Sequence, residues 1–587
     1  MVWKILIVCI FIAVAVGIGL YARRSTHSVD GFVLGGRNVG PWLSAFAYGT
    51  SYFSAVIFVG YAGQFGFKYG LSATWAGIGN AILGSLLAWW VLGPRAREIT
   101  HRLRATTMPE VFGKRYNSRA LRIAAAAIIF VFLIPYTASV YNGLSRLLVI
   151  AFGIDVPYEY CIMIMAAVTC IYVVLGGYMA TVMNDFIQGI VMLVGITLVI
   201  GFVLNGYGGF SEAVIQLSQI PEDGGSGMQG AYISFFGPDL FNLLGVVILT
   251  SLGAWGLPQM VQKFYAIKSG PAVKQGAIIS TVFALVIAGG SYFLGGFGRL
   301  ADTGAAATYI EYNPTTGLPI YDSIMPALVS NLPDILLGIL VVMVLSASMS
   351  TLSSLVLTSS STLTLDLIKG NMVKDMSEKK QVVYMRVLLI VFIVISAAIA
   401  IIQVKGGLPF IAQLMGISWG ALAGAFLGPF LWGLYKRHVS KASVWCCFIV
   451  GVGLTTGNMI SGLVGQPWIA SPINAGALAM LLSLVIVPVV SLFTKSEEFD
   501  VKPPSRMGAG DREFAKALED EGPAAALADT TGGRGIEGVA ADTVAVRSGA
   551  YAARQTESES SRSSVGVGSD TGVGSGGEGE NRPSDDA

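Results

Sequence analysis

Apolar runs of 18 or more residues recur along most of this chain, and no other feature restricts its fold so strongly. Each run is long enough to cross a bilayer as a helix. Only 12% of residues are charged and 54% are hydrophobic, about half the charge fraction of soluble domains. The expected fold is therefore all-α and polytopic in a membrane. The runs predict 13 spans, at about 2–21, 41–66, 71–94, 122–151, 157–176, 183–206, 239–266, 275–296, 334–366, 384–404, 408–433, 443–463 and 471–494. The first run has no small-residue cleavage site and ends in Arg23-Arg24, so it reads as a retained helix. Cys9, Cys161, Cys170, Cys446 and Cys447 all lie in apolar segments without metal-ligand spacing and read as small buried hydrophobes.

Alternate loops differ in basic charge. One set holds Arg23, Arg24 and Arg37, then seven basic residues between Arg95 and Arg119, then Lys268 and Lys274. It continues with Lys369, Lys374, Lys379 and Lys380, then Lys436, Arg437 and Lys441. The other set holds little more than Lys68, Arg299 and Lys405, and 207–238 has no Lys or Arg. The positive-inside rule then places the amino terminus outside and the carboxyl terminus in the cytoplasm, as an odd number of spans requires. Residues 1–494 form the expected membrane domain. Residues 495–587 are rich in Gly, Ser, Ala, Asp and Glu and read as a disordered cytoplasmic tail.

Two spans have interrupted interiors. Gly49, Thr50, Ser51 and Ser54 break the second, and Thr250, Ser251, Gly253, Gly256 and Pro258 break the seventh. The two lie five spans apart. If helices 2–6 (about 41–206) and 7–11 (about 239–433) are repeats, the second copy is inverted, and each break falls on the first helix of its own repeat. Paired broken helices point to a transporter site. Their freed backbone groups must line a protein cavity, because lipid cannot satisfy them. Close helix packing through Gly and Ser is the plainer account, and it fits Gly84 and Gly195.

The ninth span contains SASMSTLSSLVLTSSSTLTLD (346–366), in which 12 residues carry hydroxyls. On a helical wheel Ala347, Ser350, Thr351, Ser354, Thr358, Ser361 and Thr362 share one face. Ser350 and Thr351 follow Ala347 by three and four residues, so both hydroxyls project near its carbonyl. Two carbonyls from a broken helix would complete a shell of neutral oxygens suited to a hard monovalent cation such as Na⁺. Taken alone, the hydroxyls are as simply explained by back-bonding to the preceding turn.

Four segments together resemble the sodium:solute symporter family, which includes bacterial proline and pantothenate transporters and animal glucose and iodide transporters. They are GGRNVGPW (35–42), GGYMATVMNDFIQG (176–189), PQMVQKFYAIKS (258–269) and ASMSTLSS (347–354). The resemblance covers about residues 1–490. It implies a LeuT-like core of 5+5 inverted repeats and Na⁺-driven uptake by alternating access. It also implies a Na⁺ site made by the carbonyls of Thr50, Phe53 and Ala347 and the hydroxyls of Ser350 and Thr351. The family's proline transporters carry an acidic residue in the second-helix break, where this chain has Tyr52. This removes a second cation contact and loosens the match to proline transport. The family's Thr-Asp pair is Asn184-Asp185 here. In the family this Asp is linked to the ion path, whereas its place near the predicted start of the sixth span equally suits a helix cap. Asp366 reads as interfacial, and Arg146 as snorkelling to the headgroups.

The expected cavity is bordered by Tyr48, Tyr52, Phe53, Tyr61, Gln64, Trp255 and Pro258. Such an aromatic site with few charges suits a small organic solute: an amino acid, a monocarboxylate or a pantothenate-like acid, with sugars or inorganic anions less well suited. The expected partners are that solute, Na⁺ and lipid, in a cell membrane. A sensor is disfavoured because the tail shows no output domain, and the only histidines are His27, His101 and His438. An uncoupled channel or facilitator would show flux without Na⁺ dependence. No Walker A sequence supports an ATP-driven pump or other enzyme chemistry.

Overall fold

The computed structural model describes residues 2–501, except residues 24, 25, 27, 153–156, 224–227, 303, 314–316, 370, 371, 374, 375, 406–410 and 500. Nearly all of the expected tail therefore lies outside the described residues. Ten described helices are long and apolar enough to cross a membrane, or 11 when the bent pair Leu240–Gly256 and Pro258–Tyr265 counts as one span. Two of these helices are double length. Val56–Arg102 is interrupted at Gly70 (φ 64°), and Glu159–Gly206 kinks at Gly177 (φ 54°). Only glycine adopts such left-handed backbone without strain. Dividing both helices there, with Pro41–Tyr52 leading the second span, recovers all 13 expected spans. The expected loop at 177–182 is absent. The fifth span turns into the sixth across the Gly177 kink alone.

Local chemistry sets the helix starts. Pro41, Pro258 and Pro472 stand in first turns, where the missing N–H costs nothing. Asp239 and Ser440 accept from the N–H groups of Asn242 (3.1 Å) and Ser443 (3.1 Å) at the starts of their helices. The ninth span (Asp334–Ile368) and eleventh span (Ile411–Tyr435) are buried almost throughout, while the first, twelfth and thirteenth turn much of their surface outward. The ninth span has no lipid-facing side over its hydroxyl run. Leu345, Met349, Leu352 and Val356, opposite the hydroxyls, are as buried as they are.

Glycines bring backbones into contact around this core. A Cβ on Gly66 would lie 1.9 Å from the Gly295 carbonyl oxygen, and one on Gly84 would lie 2.2 Å from the Tyr52 hydroxyl. Two of the quoted motifs also meet. Val39, ahead of the second span, donates its N–H to Ala266 O (3.1 Å) and accepts from Lys268 N (3.1 Å) at the end of the seventh. Arg97 braces that pairing from the third span through Ile267 O and Lys268 O, both at 2.8 Å.

Order extends past the expected domain end at 494. Ser496–Glu498 pairs antiparallel with His438–Ser440, and the Phe499 ring lies under the guanidinium groups of Arg115 (4.4 Å) and Arg102 (5.0 Å). Cation–π contacts of this kind hold a short peptide against a basic surface.

Candidate functional site

Both expected breaks are present. The first half of the second span ends at Tyr52, and Phe53 is extended (φ −107°, ψ 98°), with its N–H on Gly49 O at 3.1 Å. The helix resumes with a wide π turn over Val56–Tyr61. The seventh span breaks at Leu257 (φ −76°, ψ 123°) and bends by 46°. A helix end leaves its last carbonyls without N–H partners, and here the ninth span meets them. Ser350 Oγ donates to Thr50 O (2.8 Å) and lies 3.1 Å from Ala347 O. Thr351 Oγ1 lies 3.1 Å from Ala347 O, 3.3 Å from Ser51 O and 3.4 Å from Thr50 O. Phe53 and Ala347 border a cavity of about 20 Å³ beside this cluster, room for about one water-sized particle. Thr50, Ala347, Ser350 and Thr351 therefore converge, with Phe53 at the adjoining cavity. The Ser51 carbonyl is a further member that sequence reasoning missed.

Several other hydroxyls of the ninth span bond within their own helix. Ser348 donates to Val344 O, Ser353 to Ser350 O, Ser360 to Leu357 O and Ser361 to Thr358 O. Back-bonding accounts for these residues. Ser354 reaches Ser51 Oγ (2.8 Å) and Lys263 Nζ (2.9 Å), and Thr358 reaches Gln262 Oε1 (2.9 Å), but Ser350 and Thr351 alone of these meet backbone carbonyls of a second helix.

The expected solute-side residues divide into two groups. Tyr48 spends its hydroxyl on Gly84 O (2.7 Å), and Trp255 spends its indole N–H on Leu83 O (2.9 Å). Both carbonyls belong to the π-helical stretch Asn80–Leu87 of the third span, where the ladder slips. These two residues tie helices together, and Pro258 restarts the helix after the break. Tyr61 and Gln64 are buried, and among the described residues the Tyr61 hydroxyl and Gln64 Oε1 have no hydrogen-bond partner. Tyr52 is central. Its hydroxyl donates to Thr250 O (2.5 Å) in the seventh span and lies 3.3 Å from Asn80 Oδ1, which also accepts from Ser251 (3.3 Å). Its ring stacks on Trp419 (6.1 Å), which meets Tyr136 edge-on (5.8 Å). Among the described residues, Asn80 Nδ2, the Tyr136 hydroxyl and Trp419 Nε1 are buried with no hydrogen bond of normal geometry, although the Tyr136 hydroxyl and the Trp419 side chain lie close enough to interact. Buried polar atoms are rarely left so, and a solute can satisfy them. Sequence reasoning missed Asn80, Tyr136 and Trp419. Asn80, a lone amide in an apolar span, was the available signal.

Three charged residues find partners that the sequence did not show. Asp185 is no helix cap. It lies seven residues inside the helix that resumes at Tyr178, fully buried, with Oδ2 3.7 Å from Lys263 Nζ. Asp366 lies in the last turns of the ninth span. It is buried and accepts from Thr107 Oγ1 and Arg122 Nε, both at 2.6 Å. Arg146 pairs with Glu311 (3.0 Å). On the face opposite the basic loops, Asp322 is buried outside the spans and accepts from Ile411 N (3.3 Å) at the head of the eleventh. Burial pushes its carboxyl up to about 6, against the opposing pull of Arg146.

The family model described as "Sodium:solute symporter family" matches residues 32–451. The chain is 27% identical over 489 residues to the osmoregulated proline transporter OpuE of Bacillus subtilis, covering 81% of this chain and 92% of that one. It is 29% identical over 456 residues to the sodium/proline symporter of Salmonella typhimurium, covering 76% and 85%. Among solved structures, it is similar to a substrate-bound, outward-open Na⁺-coupled sialic acid symporter, with a TM-score of 0.66 and 16% identity over 85% of this chain and 99% of that one. At that identity the likeness carries the LeuT-like fold and nothing finer.

Proposed function

The chain belongs to the sodium:solute symporter family, and from that premise we propose that it couples Na⁺ entry to uptake of a small amino acid, with proline the first candidate. It is a multi-pass membrane transporter with Na⁺ as the coupling ion. The proposed ion ligands are the carbonyls of Thr50, Phe53 and Ala347 and the hydroxyls of Ser350 and Thr351. One observation carries this reading: two hydroxyls of one helix meet the freed carbonyls of a broken helix with no carboxylate among them. Neutral oxygens hold a hard monovalent cation loosely enough to release it.

The proposed solute pocket is framed by Tyr52, Tyr61, Gln64, Asn80, Tyr136 and Trp419. Its unpartnered hydroxyls and amides supply polar contacts inside aromatic walls. Proline comes first because the relatives above carry it in their names. A monocarboxylate or pantothenate-like acid is the second reading. Tyr52, standing where the family's proline transporters carry an acid, removes a partner for a substrate amino group. In the proposed orientation the basic loops face the cytoplasm of a cell membrane.

In the proposed cycle Na⁺ fills its ligand set first and orders the Tyr52 side of the pocket. The solute then binds, and both leave toward the basic face. Each ligand raises the affinity for the other by the same factor. One Na⁺ moving inward at −100 mV gains about 2.3 kcal/mol from the potential alone. Radiolabelled proline uptake into proteoliposomes, with and without an inward Na⁺ gradient, tests the proposal. The expected result is accumulation only with the gradient. Accumulation of a short acid but not proline selects the second reading, and uptake indifferent to Na⁺ refutes both.

A further inference from the structure

Lys263 is a buried cation next to the ion site. It lies in the second half of the seventh span with 2% exposure. Its ammonium donates to Ser354 Oγ at 2.9 Å, lies 3.7 Å from Asp185 Oδ2 and sits 5.3 Å from the centre of the Tyr178 ring. Ser354 Oγ also bonds to Ser51 Oγ (2.8 Å), and the Ser51 carbonyl is 3.3 Å from Thr351 Oγ1. Polar contacts therefore run unbroken from the Ser350–Thr351 cluster to the ammonium. Ser354 follows Ser350 by one turn, about 6 Å along the helix, on the side of the basic loops.

Among the described residues, neither oxygen of Asp185 accepts a hydrogen bond of normal length, and Lys263 at 3.7 Å is its ion-pair partner. The carboxylate is compensated by the ammonium, and a buried carboxylate that loses its counter-charge must take up another cation or a proton. A carboxylate beside a serine hydroxyl also has the chemistry of a site for a small hard cation. Here a side chain fills it.

We propose that Lys263 is a tethered cation that occupies the place of a second coupling ion between Asp185 and Ser354, so that each chain takes up a single Na⁺. The ammonium neutralises Asp185 permanently and cannot dissociate. It also repels a second Na⁺ from the same ligands. The inference rests on the reading of Ser350 and Thr351 as Na⁺ ligands only for the count of one.

Equilibrium binding of ²²Na⁺ to purified full-length protein at pH 8.5 tests this without a solute. The wild type should saturate at one Na⁺ per chain. Lys263→Met, which keeps the stem and removes the charge, should bind one more, and Asp185→Asn added to it should abolish the gain. Lys263→Arg should stay at the wild-type count. A wild type that binds two ions, or a monodisperse Lys263→Met protein that binds no additional ion, overturns the proposal. If Lys263→Met does not fold, Asp185→Asn alone decides. It should leave the count and affinity of Na⁺ unchanged, and loss of the ion overturns the proposal. A wild type that binds none, with one gained on Lys263→Met, would sustain the tethered cation and refute the Ser350–Thr351 site.

Discussion

Thr351→Val is the sharpest test of the ion site. Valine keeps the branched shape of threonine and removes only Oγ1, which lies within 3.1–3.4 Å of the Ala347, Ser51 and Thr50 carbonyls. If the hydroxyl ligates Na⁺, its loss removes one oxygen from a bound charge. Contacts of that type contribute roughly 1.5–3 kcal/mol, which is about a ten- to hundred-fold rise in the Na⁺ concentration for half-saturation. If the hydroxyl only back-bonds to Ala347, the substitution touches stability and leaves Na⁺ affinity alone. The assay is ²²Na⁺ binding to purified protein, with thermal stability measured in parallel. Thr351→Ser should restore affinity to near the wild-type value because Oγ returns. An unchanged half-saturation in a stable Thr351→Val protein would refute the assignment.

Tyr52→Phe removes the bond to Thr250 O at 2.5 Å. We expect a loss of about 1–2 kcal/mol in stability, together with weaker solute and Na⁺ affinity, read by thermal denaturation in detergent and by uptake kinetics. Gly66→Ala places a Cβ 1.9 Å from the Gly295 carbonyl oxygen. The backbones must separate, so a cost of at least about 1–3 kcal/mol should appear as a lowered Tm. For Asp322 the folded carboxyl lies at about 6 against an ordinary 3.8. Its stabilising share is therefore fully present below pH 3.8 and is lost as pH rises through 6. The wild-type Tm should fall across that window relative to Asp322→Asn, and parallel pH profiles would rule the residue out.

The spans were legible because apolar runs of bilayer length leave a chain few alternatives. The breaks were legible too, since Gly49 to Ser54 and Thr250 to Pro258 interrupt otherwise apolar helices. The convergence of Ala347, Ser350 and Thr351 followed from helical spacing alone, whereas the contact with Thr50 and Ser51 needed a partner 300 residues away in sequence. Tertiary partners explain what was missed. Tyr52 finds Thr250 198 residues on, and Trp419 joins it from the eleventh span. Lys263 drew no separate reading, because a lysine near a predicted helix end ordinarily snorkels. Only the position of Asp185, set by the kink at Gly177, shows that it is enclosed. Phe499 looked like the start of an unfolded tail because the guanidinium groups that hold it come from residues 102 and 115.

The Val39 pairing with Ala266 and Lys268 has a mechanical consequence. It welds the near end of Pro41–Tyr52 to the near end of Pro258–Tyr265, while Tyr52 and Thr250 join the same two spans at their breaks. Two separate half-helices would have independent hinges. A frame fastened at two points has one shared rotation, and the oxygens around Ser350 and the pocket around Trp419 both border it. In the proposed cycle, the proposed ion and solute sites then turn on a single axle. Slippage, in which Na⁺ crosses without its passenger, is resisted by backbone pairing at residues that touch neither.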